Sequence, residues 1–115
     1  MKRDEAYLNA IIREIDIIPG LLKGYTIDKF LKSEKTKRAV CMTLLNIGEA
    51  ANKVSDEILE KYNMISWYKY IGFRNISAHN YDGIKMERVW HTCKNLTSFR
   101  IQIVDILKAE FGLKD

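Results

Sequence analysis

The chain has 115 residues, a formal net charge of +4, 47% hydrophobic and 30% charged residues, and one proline with six glycines. That length suits one domain spanning residues 1–115 with a single core, and the hydrophobic content excludes a disordered chain. So few turn-formers argue against an all-β fold. The basic excess suits an anionic partner without identifying one, and because no stretch reads as a basic tail, a nucleic-acid surface would have to be assembled in space.

The start, Met1-Lys2-Arg3-Asp4-Glu5, is charged and does not read as a signal peptide. Apolar runs are only a few residues long, so no transmembrane span is expected. Leu8, Ile11, Ile12, Ile15 and Ile18 follow at helical spacing over residues 4–18. Pro19-Gly20 is expected to end that helix or begin its fraying. Gly24 to Asp28 reads as a connector, with Thr26 as N-cap of a short turn through Phe30 and Leu31.

A second helix is expected from about Ser33, with Val40, Leu44, Ile47, Ala51 and Val54 on its apolar face. Gly48, Ala50 and Ala51 would let another helix approach closely. Asn46 and Glu49 read either as a solvated face or as groups aimed at a site around residues 74–81. Ser55 with Asp56 and Glu57 resembles a cap and acidic first turn, so a helix restarts there and runs to about Tyr62.

Ser66 is the expected N-cap of a short aromatic helix holding Trp67, Tyr68 and Tyr70 and running on to Phe73. Aromatics this dense stack on bases in some proteins, but core packing is the favoured reading. Gly72 suggests close backbone contact with a neighbour or a tolerated defect. A last helix is expected from about Lys85 to Phe111, with an apolar stripe from Met86 to Leu107, His91 off its centre and Gly112 as the stop. Cys41 and Cys93 lack a CxxC partner and read as reduced core thiols of a cytoplasmic protein. With His79 and His91 they lack the ligand spacing of a zinc site, and no metal or other cofactor is expected. The pattern predicts an all-α antiparallel bundle of four to five helices, whose wide stripes suggest a homodimer.

The chemistry-bearing stretch is Gly72-Phe73-Arg74-Asn75-Ile76-Ser77-Ala78-His79-Asn80-Tyr81-Asp82-Gly83. Arg74 offers a planar fork of donors suited to phosphate, and His79 titrates nearest neutrality, suited to proton transfer. Tyr81 adds a hydroxyl and an aromatic face. By spacing alone the pair is weak, and a helix-capping arginine with a satisfied histidine is the blander reading.

Arg74 to Tyr81 fits the Arg-x4-His-x-Tyr pattern and resembles the HepT-like branch of HEPN domains. The resemblance extends to Asn46-Ile47-Gly48-Glu49-Ala50-Ala51-Asn52-Lys53-Val54-Ser55 upstream, to Trp67 and Ile71–Asn75 at the approach, and to Val89-Trp90 after it. Ser66 departs from the proline common before that tryptophan. The resemblance implies a dimeric HEPN-like helical fold and a toxin of a type II toxin–antitoxin module that is a metal-independent endoribonuclease. Arg74 and His79 would be catalytic, with Asn75 and Glu49 supporting. A partner minimal nucleotidyltransferase would silence the toxin by moving AMP to Tyr81. The substrate would be RNA, messenger or transfer. The alternative is a non-catalytic nucleotide-binding or partner subunit of a nucleotidyltransferase complex.

Overall fold

A computed structural model describes residues 2–76 and 83–112. Among these the chain is all-α, with no strand. Its helices are α1 (Lys2–Leu22), α2 (Ile27–Lys32), α3 (Glu34–Lys53), α4 (Asp56–Lys61), α5 (Trp67–Ile71), α6 (Met86–Lys94) and α7 (Thr97–Phe111), with a 3-10 turn at Gly72–Asn75 directly after α5.

α1 buries Leu8, Ile11, Ile15, Ile18 and Leu22, the period of one helical face. It does not end at Pro19 but continues to Leu22. An interior proline costs about 3 kcal/mol, while burying one leucine returns roughly 1.5–3 kcal/mol. Leu22 is buried and Leu21 half-buried against the core, which offsets the defect. The chain leaves the helix at Gly24, whose φ of 77° lies in the left-handed region that glycine tolerates.

α3 starts close to the expected point, directly after Ser33, whose side chain accepts from the Thr36 N–H at 3.2 Å. It runs antiparallel to α1. Asn46 donates to Glu14 at 2.9 Å, and Lys53 lies 5.9 Å above the Tyr7 ring. At the far end Asp4, 2% exposed, accepts from the Ser55 N–H at 2.8 Å and the Ser55 hydroxyl at 2.7 Å. Ser55 in turn caps α4, its oxygen accepting from the Ile58 N–H.

Two local expectations change. Ser66 occupies the N-cap position of α5 but makes no side-chain capping bond; the entry is fixed instead by the Trp67 indole N–H donating to the Tyr62 carbonyl at 3.1 Å. The expected helix over 85–111 is two helices broken at Asn95-Leu96. Asn95 causes the break: its side-chain amide takes the His91 carbonyl at 2.8 Å, while its own N–H tightens onto Thr92 at 3.0 Å. An asparagine that competes for helix carbonyls favours exactly such an end. Gly112, at φ 67°, stops α7 as expected.

The core runs through all of these elements. Phe30 of α2 meets Trp90 of α6 at 5.4 Å between ring centroids. The Tyr70 ring of α5 stacks on Phe99 of α7 at 3.6 Å, nearly parallel, and Trp67 meets Phe99 edge-on at 6.0 Å.

Candidate functional site

The aromatic run before the motif is mainly structural, as favoured from the sequence. Trp67 and Tyr70 are buried, and Tyr70 meets Phe73 edge-on at 5.8 Å. Burial pushes the Tyr70 hydroxyl above the ordinary tyrosine value. This cluster pins α5 and the 3-10 turn to α7. Tyr68 breaks the pattern at 93% exposed.

The turn is also pinned to α3, at Gly48. A Cβ placed there would lie 2.4 Å from the Arg74 backbone nitrogen and 2.9 Å from the Phe73 carbonyl carbon. No side chain fits in that space, so glycine at position 48 is what lets the Arg74 backbone seat on α3. The close approach suggested for Gly72 does not occur, because nothing lies within 4 Å of a Cβ built there. Two stretches separated in sequence by α4 and α5 therefore meet: Asn46–Ser55 and the approach to the motif.

Arg74 and Asn75 both lie at the surface of the turn, and Glu49 is exposed on α3. Glu49 is one residue past the Gly48 contact, about 100° around the helix. No ion pair joins it to Arg74 among the described residues. Asn46 faces α1 through its bond to Glu14 and not the motif. His79 and Tyr81 lie outside the described residues.

A hollow of about 330 Å³ borders the motif, with Phe73 just before it, Ile76 within it, and Gly83 and Ile84 after it. Leu44 and Val89 supply further apolar wall, while Lys85, Arg88 and Thr92 bring two cations and a hydroxyl. Apolar walls with cations at the rim suit a base and its phosphate. Reading the sequence did not single out Lys85 and Arg88. Their signal is a spacing of three residues at the start of α6, which puts both on one face.

Cys41 is buried, with its sulfur 4.0 Å from that of Met86. The Cys93 thiol is pushed up to about 12, chiefly by burial and further by the neighbouring Cys41. Both therefore stay protonated near neutral pH and behave as packing groups. No group of three His, Cys, Asp or Glu among the described residues is placed to hold a metal ion. No described helix is long and apolar enough to cross a membrane.

Comparison with known proteins places this geometry. The family model described as "Ribonuclease HepT-like" matches residues 11–106, which include α3, the turn and the motif. A protein of Caldanaerobacter subterraneus subsp. tengcongensis, named "Putative RNase TTE0752", is 30% identical over 96% of this chain and 99% of its own length. "Putative RNase MJ0127" of Methanocaldococcus jannaschii is 32% identical over 93% of this chain and 90% of its own. "Probable ribonuclease HepT" of Thermococcus cleftensis is 30% identical over 82% of this chain and 86% of its own. No solved structure matches. With a family model spanning most of its length and full-length relatives carrying ribonuclease names, this chain belongs to the HepT-like ribonuclease family.

Proposed function

We propose that the protein is an endoribonuclease that cleaves RNA without a metal, through attack of the 2′-hydroxyl on the adjacent phosphate. The 2′-oxygen-to-phosphorus bond forms and the bond to the 5′-oxygen breaks. The products are a 2′,3′-cyclic phosphate and a free 5′-hydroxyl. His79 moves a proton, either from the 2′-hydroxyl or to the departing 5′-oxygen, and Arg74 holds the phosphoryl oxygens as charge builds on them. Asn75 and Glu49 support the site from the same turn and from α3.

The observation that carries this reading is the seating of the Arg74 backbone on Gly48. It fixes the backbone of an exposed arginine directly after Phe73, which lines a hollow that Lys85 and Arg88 also line. Among the described residues Arg74 has no carboxylate partner, so its donors are open to a phosphate.

A second copy of the chain would bring another Arg74 and His79 and fill both proton roles. Exposed apolar groups support such a homodimer. Ile17, 44% exposed, and Met42, 57% exposed, lie one turn beyond the Glu14–Asn46 bond on the open α1–α3 face. The biological role we assign is the toxin of a cytoplasmic toxin–antitoxin pair. A minimal nucleotidyltransferase partner silences it by transferring AMP from ATP to the Tyr81 hydroxyl oxygen, with pyrophosphate leaving and the hydroxyl proton released. The added anion would block the cleft and repel RNA.

The test is cleavage of RNA in EDTA by the unmodified protein beside His79→Ala. Cleavage by the parent alone, leaving cyclic phosphate ends, is expected. Equal cleavage by both would reject His79 as the proton carrier. No cleavage by either, with Tyr81 unmodified by mass spectrometry, would favour a non-catalytic partner subunit.

A further inference from the structure

A second concavity, sharing no lining residue with the hollow that Phe73 and Arg88 line, lies between α4 and α5. It is a groove of about 680 Å³. Its apolar lining comes from Leu59, Ile65, Trp67 and Ile71, and Asp56, Glu60 and Tyr68 stand along it. We propose that this groove docks a basic, amphipathic helical segment of a partner protein.

Three observations point to that occupant. The first is exposure. Tyr68 is 93% exposed and Met64 70% exposed, the two most exposed large hydrophobic residues described, and both belong to the segment that builds the groove. Buried Trp67 supplies a rigid wall, its indole N–H already satisfied by the Tyr62 carbonyl. A tyrosine beside a tryptophan is the composition of an interface anchor.

The second is charge. Asp56 and Glu60 are four residues apart and so lie on one side of α4. Neither has an ion-pair partner among the described residues, whereas Glu34, Glu110 and Asp16 are paired within the fold. Two unpaired carboxylates on a chain of net charge +4 repel a phosphate backbone and attract lysine or arginine. That disfavours RNA in this groove and favours a basic counterpart.

The third is shape. The groove is lined by residues of α4, α5 and the connector between them, with a volume of about 680 Å³, room for the apolar side chains that a helical face presents at i, i+3 or i+4 and i+7. Basic residues beside those anchors would then meet Asp56 and Glu60.

The experiment pans a library of random 16-residue peptides against the full-length protein. Enriched peptides are then titrated by fluorescence anisotropy against the parent, the Asp56→Asn/Glu60→Gln double variant and Tyr68→Ala. The expected consensus combines lysine or arginine with apolar residues at helical spacing. Affinity should fall at least tenfold in both variants while their melting temperatures and RNA cleavage stay at the parent level. These positions are exposed and outside the site at Arg74, so the comparison does not depend on whether the chain cuts RNA. Three results would overturn the proposal: no enriched peptide, peptides that bind the variants as tightly as the parent, or displacement of the peptide by a short RNA. A concentration-dependent increase in mass that the double variant abolishes would also overturn it, by assigning the groove to a second copy of the chain.

Discussion

A methyl group at position 48 would collide with the backbone that carries Arg74, so Gly48→Ala must push either α3 or the turn aside. Overpacking of this kind costs about 1–3 kcal/mol, and a displacement of about 1 Å at a reacting group can cost on the order of 10²-fold in rate. The expected result is a lower melting temperature with RNA cleavage reduced at least tenfold at temperatures where the variant remains folded. Unchanged cleavage would separate Arg74 from the chemistry. Gly72→Ala is the control, since its Cβ meets nothing, and it should leave both readouts near the parent. The small residues of α3 were legible as a contact face from the sequence, but their partner was not. Nothing local to Gly48 encodes a turn that follows two intervening helices.

At the scale of elements, the caps at Thr26 and Ser55 were readable from neighbours in sequence, the one expected at Ser66 makes no side-chain capping bond, and contacts formed across the fold were not readable. Thr26 caps its helix as expected, and Ser33, read only as the approximate start of the next helix, caps that one. Ser55 also caps α4, but its own N–H and hydroxyl are held by Asp4 from the first turn of α1. Asp4→Ala leaves the Ser55 N–H without its partner in a part-buried site, at a cost of roughly 1–3 kcal/mol. Thermal denaturation should show a clear drop, larger than for substitution of an exposed acid such as Glu57. Pro19 and Asn95 show the limits of local reading in opposite directions. A breaker was carried through because Leu22 gains burial beyond it. A residue with only modest helix preference ended a continuous apolar stripe because its side chain reached the His91 carbonyl.

At the scale of the molecule, α4 is tied to α7 by one polar cluster. Lys61 meets Glu110 at 2.8 Å, and Tyr62 donates its hydroxyl to the same carboxylate. Hydrogen bonds from Lys61 and Tyr62 hold the Glu110 carboxyl below its ordinary value of 4.5. The bond to Glu110 raises both Lys61 and Tyr62 above theirs. A depressed acid stabilises the fold above its unfolded value and loses that contribution as pH falls through the folded one. A raised tyrosine or lysine stabilises below its unfolded value and loses that as pH rises. The tie is therefore whole between the ordinary values of 4.5 for glutamate and 10.0 for tyrosine. Melting curves of the parent and Glu110→Gln should differ by a constant gap inside that window. The gap should close as pH falls below 4.5 and through the depressed value of the folded Glu110 carboxyl. A gap independent of pH would mean the cluster contributes only through packing.

The helical class was legible at this scale because apolar spacing repeats along most of the chain. The candidate site was legible only in part. Arg74 and Asn75 stand out by chemistry and pattern, whereas Lys85 and Arg88 join the hollow through packing of α6 beside the motif.

Phe99 has one more consequence. It lies in the last helix, yet it is the ring on which Tyr70 stacks and Trp67 leans. During synthesis the segment leading to Arg74 leaves the ribosome well before its aromatic support. Until α7 follows, that segment has Gly48 beneath it but no Phe99 behind it. The nascent chain thus carries the segment leading to Arg74 before the ring that braces Trp67 and Tyr70 has been made.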